Sequence, residues 1–313
     1  MQQVCIYIEA VAREGSFSKA AESLGITQPA LSIAIGKEEE RLGIPLFERE
    51  THPIMPTEAG SAYLHAIQGI RKEEEELEKR IGDIKHLEEG SVRIGGSHYL
   101  NSYILAPMLS AFARQYPKIR LSLEEAGSDE LSQMLKDHAL EVTFSCNTSF
   151  MADFERYPLF CDHLLLAVPQ EDPFNEAHAS FILTSEQIQK GAHLDSACPQ
   201  IPSSALSQLS YVLLKPGNNL YDRAMVVLRE SETDPDVRLL VSQMATAYRL
   251  AQAGFASAII SDRLVTGPVP LSFYKIDPRV AERRFYMLVA SRGYTSHALS
   301  AFIHFATKWF KDC

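Results

Sequence analysis

From Thr57 to Leu87 the apolar residues Tyr63, Ile67, Ile70, Leu77, Ile81 and Ile84 recur at alternating spacings of four and three, with Glu74 in the one seam position the pattern skips. This heptad stripe predicts one helix roughly 45 Å long at about 1.5 Å per residue. A lone exposed helix of that length wastes its stripe, so the segment reads as a linker and dimer seam that pairs with a second copy of the chain. The run Glu73 to Glu76 reads as a solvated flank behind Arg71 and Lys72. The stripe separates two stretches of different grammar and predicts three parts: a head over 1–58, a linker helix over 59–89, and a larger domain over 90–313.

The head reads as short helices and tight turns. Val4, Ile8 and Val11 share one face of a first helix that stops at Gly15. Ser16-Phe17-Ser18 opens a second helix, with Ser18 the expected N-cap and Ala20, Ala21 and Leu24 packed inward. After Gly25, Thr27 caps a third helix with Pro29 in its first turn, where a missing N–H costs nothing. Ala30, Leu31, Ile35 and Leu42 are expected on its buried side. Two helices joined by a short glycine-containing turn form a helix-turn-helix. Leu46 to Pro56 follows as a hairpin or wing.

After Gly90 the chain alternates strands and helices. Strands are expected at Ser91 to Gly95, Arg120 to Glu124, Glu141 to Ser145, Leu164 to Val168, Tyr211 to Leu214, Ala256 to Ile260 and Phe285 to Ala290. Helices are expected at about Ser102 to Tyr116 and Asp129 to His138. This alternation predicts parallel sheets covered by helices. Crossings between two lobes are expected near Cys161-Asp162 and near Arg263 to Pro270, giving lobe I over 90–161 and 269–313 and lobe II over 162–268.

The string GSFSKAAESLGITQPALSIAIGKEEERLGIPLFER from Gly15, with PTEAG at Pro56 to Gly60, resembles the winged helix-turn-helix of LysR-type transcriptional regulators. The resemblance extends to the layout of the whole chain. It implies an α/β protein with an N-terminal all-α winged helix-turn-helix, a long linker helix, and a two-lobed, Rossmann-like effector domain similar to type 2 periplasmic binding proteins. Double-stranded DNA, a small-molecule effector, and a homodimer or a homotetramer built as a dimer of dimers are the implied partners. The N-terminal end of a recognition helix enters the major groove, where a Gln bridges adenine's donor and acceptor, so Gln28 is the candidate base reader. Thr27, Pro29, Ser32, Ser16 and Ser18 lie where helix N-termini hold phosphates. Arg49 in the wing, helped by Lys37 and His52, is expected to reach the DNA backbone or the minor groove. Each of these residues also has a plain structural role as cap, turn former or solvated side chain.

Effector candidates are placed where strands end and helices begin, because ligands of open α/β sheets sit outside strand carboxyl ends. These are Ser97, His98, Tyr99 and Asn101 after the first strand, Ser128 before a helix, and Ser145 and Asn147 after the third strand. Lys215, Asn218 and Ser261 follow strands of the second lobe. Helix N-termini and the Lys215 cation favour an organic anion.

Charge tests the DNA expectation. The chain carries a formal −10, and residues 1–57 hold five basic residues against eight Glu, a head charge of −3. Ile33 and Glu38 stand where relatives usually have a polar or basic residue and a leucine. Fewer phosphate contacts imply weaker non-specific affinity and leave a second reading open, a small-molecule- or partner-binding protein whose acidic head no longer engages DNA. The five cysteines (Cys5, Cys146, Cys161, Cys198 and Cys313) are far apart and form no CxxC, which suggests a reducing cytoplasm and inert thiols. No apolar run approaches the roughly 18–20 residues of a membrane span, and the N-terminus lacks the pattern of a secretion signal. There is no GxSxG, GxGxxG, HExxH or P-loop, and the ten histidines show no metal-ligand spacing. No enzyme activity, cofactor or metal is expected.

Overall fold

The computed structural model describes residues 2–84, 90–229, 234–290 and 295–311 and divides into two compact units, Met1–Ile81 and Gly82–Cys313. In the first unit, α1 (Gln2–Glu14), α2 (Phe17–Ser23) and α3 (Gln28–Leu42) precede a two-stranded antiparallel wing, β1 (Phe47–Glu48) and β2 (Met55–Pro56). The long helix α4 (Glu58–Ile84) follows. Ile8, Val11, Ala20, Ala21, Leu31 and Ile35 are fully or almost fully buried at its centre. Phe17 meets Phe47 of the wing edge to face at 5.9 Å.

Several local expectations shift. Ser16, not Ser18, caps α2: its side chain accepts from the Lys19 amide, and Ser18 is exposed within the first turn. Ala30 and Leu42 face solvent on α3, where Leu31 and Ile35 alone are buried. Gly43 ends α3 in the left-handed region at φ 74°, a conformation that costs glycine little. Gly60 is required for a different reason: a Cβ there would lie 2.0 Å from the Leu46 carbonyl oxygen, where α4 packs on the base of the wing.

The second unit opens with β3 (Gly90–Gly96), a π-helical segment over Leu100–Leu105, and α5 (Ala106–Gln115). Then come β4 (Ile119–Glu125), α6 (Ser128–Lys136), β5 (Val142–Ser145) and the sixteen-residue β6 (Phe154–Pro169). Two short helices, α7 (Phe174–Ala177) and α8 (Ser185–Gln189), lead to β7 (Ser210–Leu214), α9 (Asn219–Arg229), β8 (Asp236–Val241), α10 (Met244–Gln252) and β9 (Ser257–Ser261). The chain closes with β10 (Leu271–Lys275), α11 (Pro278–Ala281), β11 (Glu282–Ala290) and α12 (His297–Trp309).

The strands run in the order β4-β3-β5-β11-β6-β9-β7-β8, with β10 also on β6. The two lobes share β6. Its residues Phe154 to His163 pair with β11, and from Leu164 onward it pairs with β9 and β10. Parallel pairing holds only within each lobe, β3 with β4 and β5, and β7 with β8 and β9. The connecting strands run the other way, so the sheet is mixed where a parallel one was expected. The return crossing also moves. β10 pairs with Leu165 to Pro169 and so belongs to lobe II, which puts the crossing over residues 276–281 and ends lobe II later than residue 268.

Candidate functional site

In the head, the N-terminus of α3 is presented with its polar residues outward. Thr27 accepts from the Ala30 amide at 3.4 Å, Gln28 and Pro29 are exposed, and Ser32 sits half-buried one turn on. Lys37 and His52 are exposed. Arg49 is only half free. Its Nη2 lies 2.7 Å from Glu39 Oε2, and its guanidinium covers the Phe17 ring at 5.3 Å. The other Glu39 oxygen accepts from the Leu46 amide at 2.8 Å, so one carboxylate joins α3 to the wing and holds its arginine. Glu38, the expected misfit, has partners too: Arg41 donates to both of its oxygens at 2.9 and 2.6 Å, and the Tyr63 hydroxyl donates at 2.7 Å. These bonds, led by that from Arg41, hold the Glu38 carboxyl down at about 2.

In the second unit a small cavity of about 80 Å³ lies between the lobes. Of the expected residues, Ser97, Tyr99, Ser128, Ser145 and Asn218 line it together. The others are placed elsewhere. His98 pairs with Glu125 at 3.2 Å, and the buried Asn101 donates to the Gly96 and Glu124 carbonyls. Asn147 caps the turn at Thr148, Lys215 is exposed on the loop after β7, and Ser261 is fully buried behind the lining.

Sequence reasoning missed the group that forms the back wall. Arg283 of β11 stands opposite Asp162 of β6 in the strand register, and its Nε and Nη2 donate to the two carboxylate oxygens at 2.8 and 2.5 Å. The Tyr99 and Ser261 hydroxyls each donate to Asp162 Oδ2 at 2.7 Å. The guanidinium lies 5.4 Å from the Tyr99 ring and 5.2 Å from the Phe285 ring, so it is flanked by aromatic faces on the cavity side. Burial pushes the Tyr99 hydroxyl up, and the Asp162 charge adds to it, so it remains a proton donor. Burial works against the Arg283 charge, but Asp162 outweighs it and raises the group further.

Helix termini complete the cavity. Ser128 opens α6, Asn219 opens α9, and Gln243 precedes α10, and all three line it. Gly127 and Gln243, at the N-cap positions of α6 and α10, make no side-chain cap hydrogen bond, whereas Thr184 and Ser296 cap α8 and α12 away from the cavity. The first-turn amides of α6 and α10 therefore carry partial positive charge with no side chain bound to it. Cys146 also faces the cavity, its thiol 3.4 Å from Asn219 Oδ1, and burial raises it away from the thiolate form. Among the described residues, the group able to hold a metal ion is His163, His193 and Asp262, a set widely separated in sequence.

Residues 5–61 match the family model described as bacterial regulatory helix-turn-helix protein, lysR family, and residues 85–311 match the LysR substrate binding domain. An uncharacterized HTH-type transcriptional regulator, YybE of Bacillus subtilis (strain 168), is 26% identical over 256 residues, 82% of this chain and 80% of its own. A probable RuBisCO transcriptional regulator of Trichormus variabilis is 24% identical over 304 residues, 94% of this chain and 84% of its own. Among solved structures, full-length CbnR complexed with its target DNA superposes with a TM-score of 0.66 at 21% identity, covering 98% of each chain. No described helix is long and apolar enough to cross a membrane.

Proposed function

The chain belongs to the LysR family, a DNA-binding transcriptional regulator with a substrate-binding domain, and from that premise we propose that its effector is a small organic anion held between the lobes. The observation that carries this reading is the meeting of two uncapped helix N-termini, those of α6 and α10, with the Arg283 guanidinium at one cavity. Asp162 already balances the arginine charge, so the affinity for an anion comes chiefly from the helix amides, and Arg283 supplies shape and direction. A cavity of about 80 Å³ is smaller than the roughly 300 Å³ at which small-molecule pockets begin, so the lobes part to admit a ligand beyond a few atoms. A ligand that binds the parted state more tightly shifts the population toward it.

In this reading the protein acts in the cytoplasm as a sensor without catalytic chemistry, with Gln28 at the bases and α4 pairing two copies. Burial raises both the Cys146 and Cys161 thiols away from the reactive thiolate.

A thermal-shift screen of small carboxylates against their neutral amides, using the full chain, tests the proposal. Carboxylates should raise the melting temperature and amides should not. Gln243→Asp places a capping carboxylate on α10 and should weaken the response at least about tenfold in ligand concentration, the cost of a like charge at the helix end. A neutral ligand that binds as well as its acid would sink the anion assignment.

A further inference from the structure

Two imidazoles and a carboxylate converge where β6 leaves one lobe for the other. His163 is the β6 residue paired with Glu282 of β11, and its neighbour Leu164 pairs with Ser261 of β9. Asp262 follows Ser261 directly, and the buried His193 comes from the 3-10 turn Ala192–Leu194. His193 Nε2 and His163 Nδ1 lie 3.0 and 3.5 Å from the same atom, Asp262 Oδ2. The other oxygen, Oδ1, accepts from the His163 backbone amide at 3.1 Å, with Ser261 Oγ 3.3 Å away. The carboxylate is thereby oriented from behind, with its second oxygen turned to the two rings.

All three donor atoms lie within 4.8 Å of one another. A tetrahedral ion with bonds of about 2.0–2.1 Å sets its ligand atoms about 3.3–3.4 Å apart, and the spacings of 3.0 and 3.5 Å straddle that edge. Two nitrogens and one oxygen suit a borderline transition metal, whereas magnesium and calcium take oxygen sets. We propose that His163, His193 and Asp262 bind one divalent transition-metal ion of the zinc class at the crossing between the lobes. The His163 side chain is 28% exposed, so solvent can reach the ion and supply a fourth ligand. The His163 amide bond to Oδ1 acts as the outer partner that orients a metal-binding carboxylate.

The ion would tie β6 to two turns of lobe II. Ser261 Oγ donates to Asp162 Oδ2 at 2.7 Å and lies 3.3 Å from Asp262 Oδ1, so the site adjoins the network behind the effector cavity. The proposal does not depend on which effector is bound, and its test needs none.

Equilibrium dialysis of the chelator-treated full chain against Zn²⁺ or Co²⁺ should give one ion per chain, with the visible absorption of four-coordinate cobalt. His163→Gln and His193→Gln should each weaken binding roughly 100-fold, while His304→Gln, on the exposed face of α12, should leave it unchanged. Melting of each variant without metal checks folding, and His163→Gln, on the partly exposed ring, keeps the test valid should His193→Gln fail to fold. Absence of binding would mean the cluster is only a hydrogen-bonded histidine pair and would overturn the proposal. Binding that survives both histidine variants, or that His304→Gln abolishes, would overturn it as well.

Discussion

Glu38 shows how an acidic residue is accommodated within the head. Its carboxylate is clamped by Arg41 and Tyr63 and held down at about 2, against an ordinary value of 4.5. A carboxyl depressed in the folded state stabilises fully above its unfolded value and loses that contribution as pH falls through the folded one. The stability difference between the native chain and Glu38→Gln should therefore be constant from neutrality down to about pH 4.5 and shrink between there and about pH 2. Denaturant unfolding of both proteins across that range measures it, and the other carboxylates cancel in the difference. A gap that does not change with pH would mean that Glu38 is not held in this clamp.

Among the elements, α4 carries the sharpest prediction. Its stripe divides: Ile67 is buried under the head and Tyr63 half-buried, but Ile70, Leu77 and Ile81 are 49%, 56% and 43% exposed. A paired helix would bury them, at roughly 1.5–3 kcal/mol for a leucine. Leu77→Lys should raise the dissociation constant of the dimer at least about tenfold in sedimentation equilibrium; an unchanged constant would put the seam elsewhere. The elements also divide by how far the sequence revealed them. The helices of the head were legible because Thr27, Pro29 and Gly43 are local signals for a cap, a first turn and a stop. β8 was missed because residues 236–240 at the edge of the sheet are all exposed and show no alternation. The first half of β6 and all of β10 were missed because their partners lie far away in sequence. The same distance hid Arg283 and Asp162, which are 121 residues apart and visible only once β6 and β11 are paired. Ser97, Ser128 and Ser145 could be named beforehand because the rule that ligands sit at strand ends needs only local order.

For the whole molecule the question is how a protein of formal charge −10 holds a polyanion. Of the five cations in residues 1–57, Arg13, Arg41 and Arg49 are engaged by Glu14, Glu38 and Glu39, leaving Lys19 and Lys37 without an ion pair among the described residues. Each phosphate neutralised by a free cation contributes about −0.9 to the slope of log affinity against log salt, so one head should give about −2 and a pair of heads about −4. That is a shallow dependence. Affinity then rests on pairing of heads, on helix amides at phosphates, and on base contacts. Glu38→Gln releases Arg41 and should steepen the slope by about 0.9 per head, while Gln28→Ala should leave the slope alone and relax base preference by about 1–3 kcal/mol. Binding isotherms over a salt series, on a site selected from random duplexes, separate the two effects. A native slope far steeper than −4 would mean that the glutamates release their arginines on DNA, and the head would then bind as an ordinary basic one.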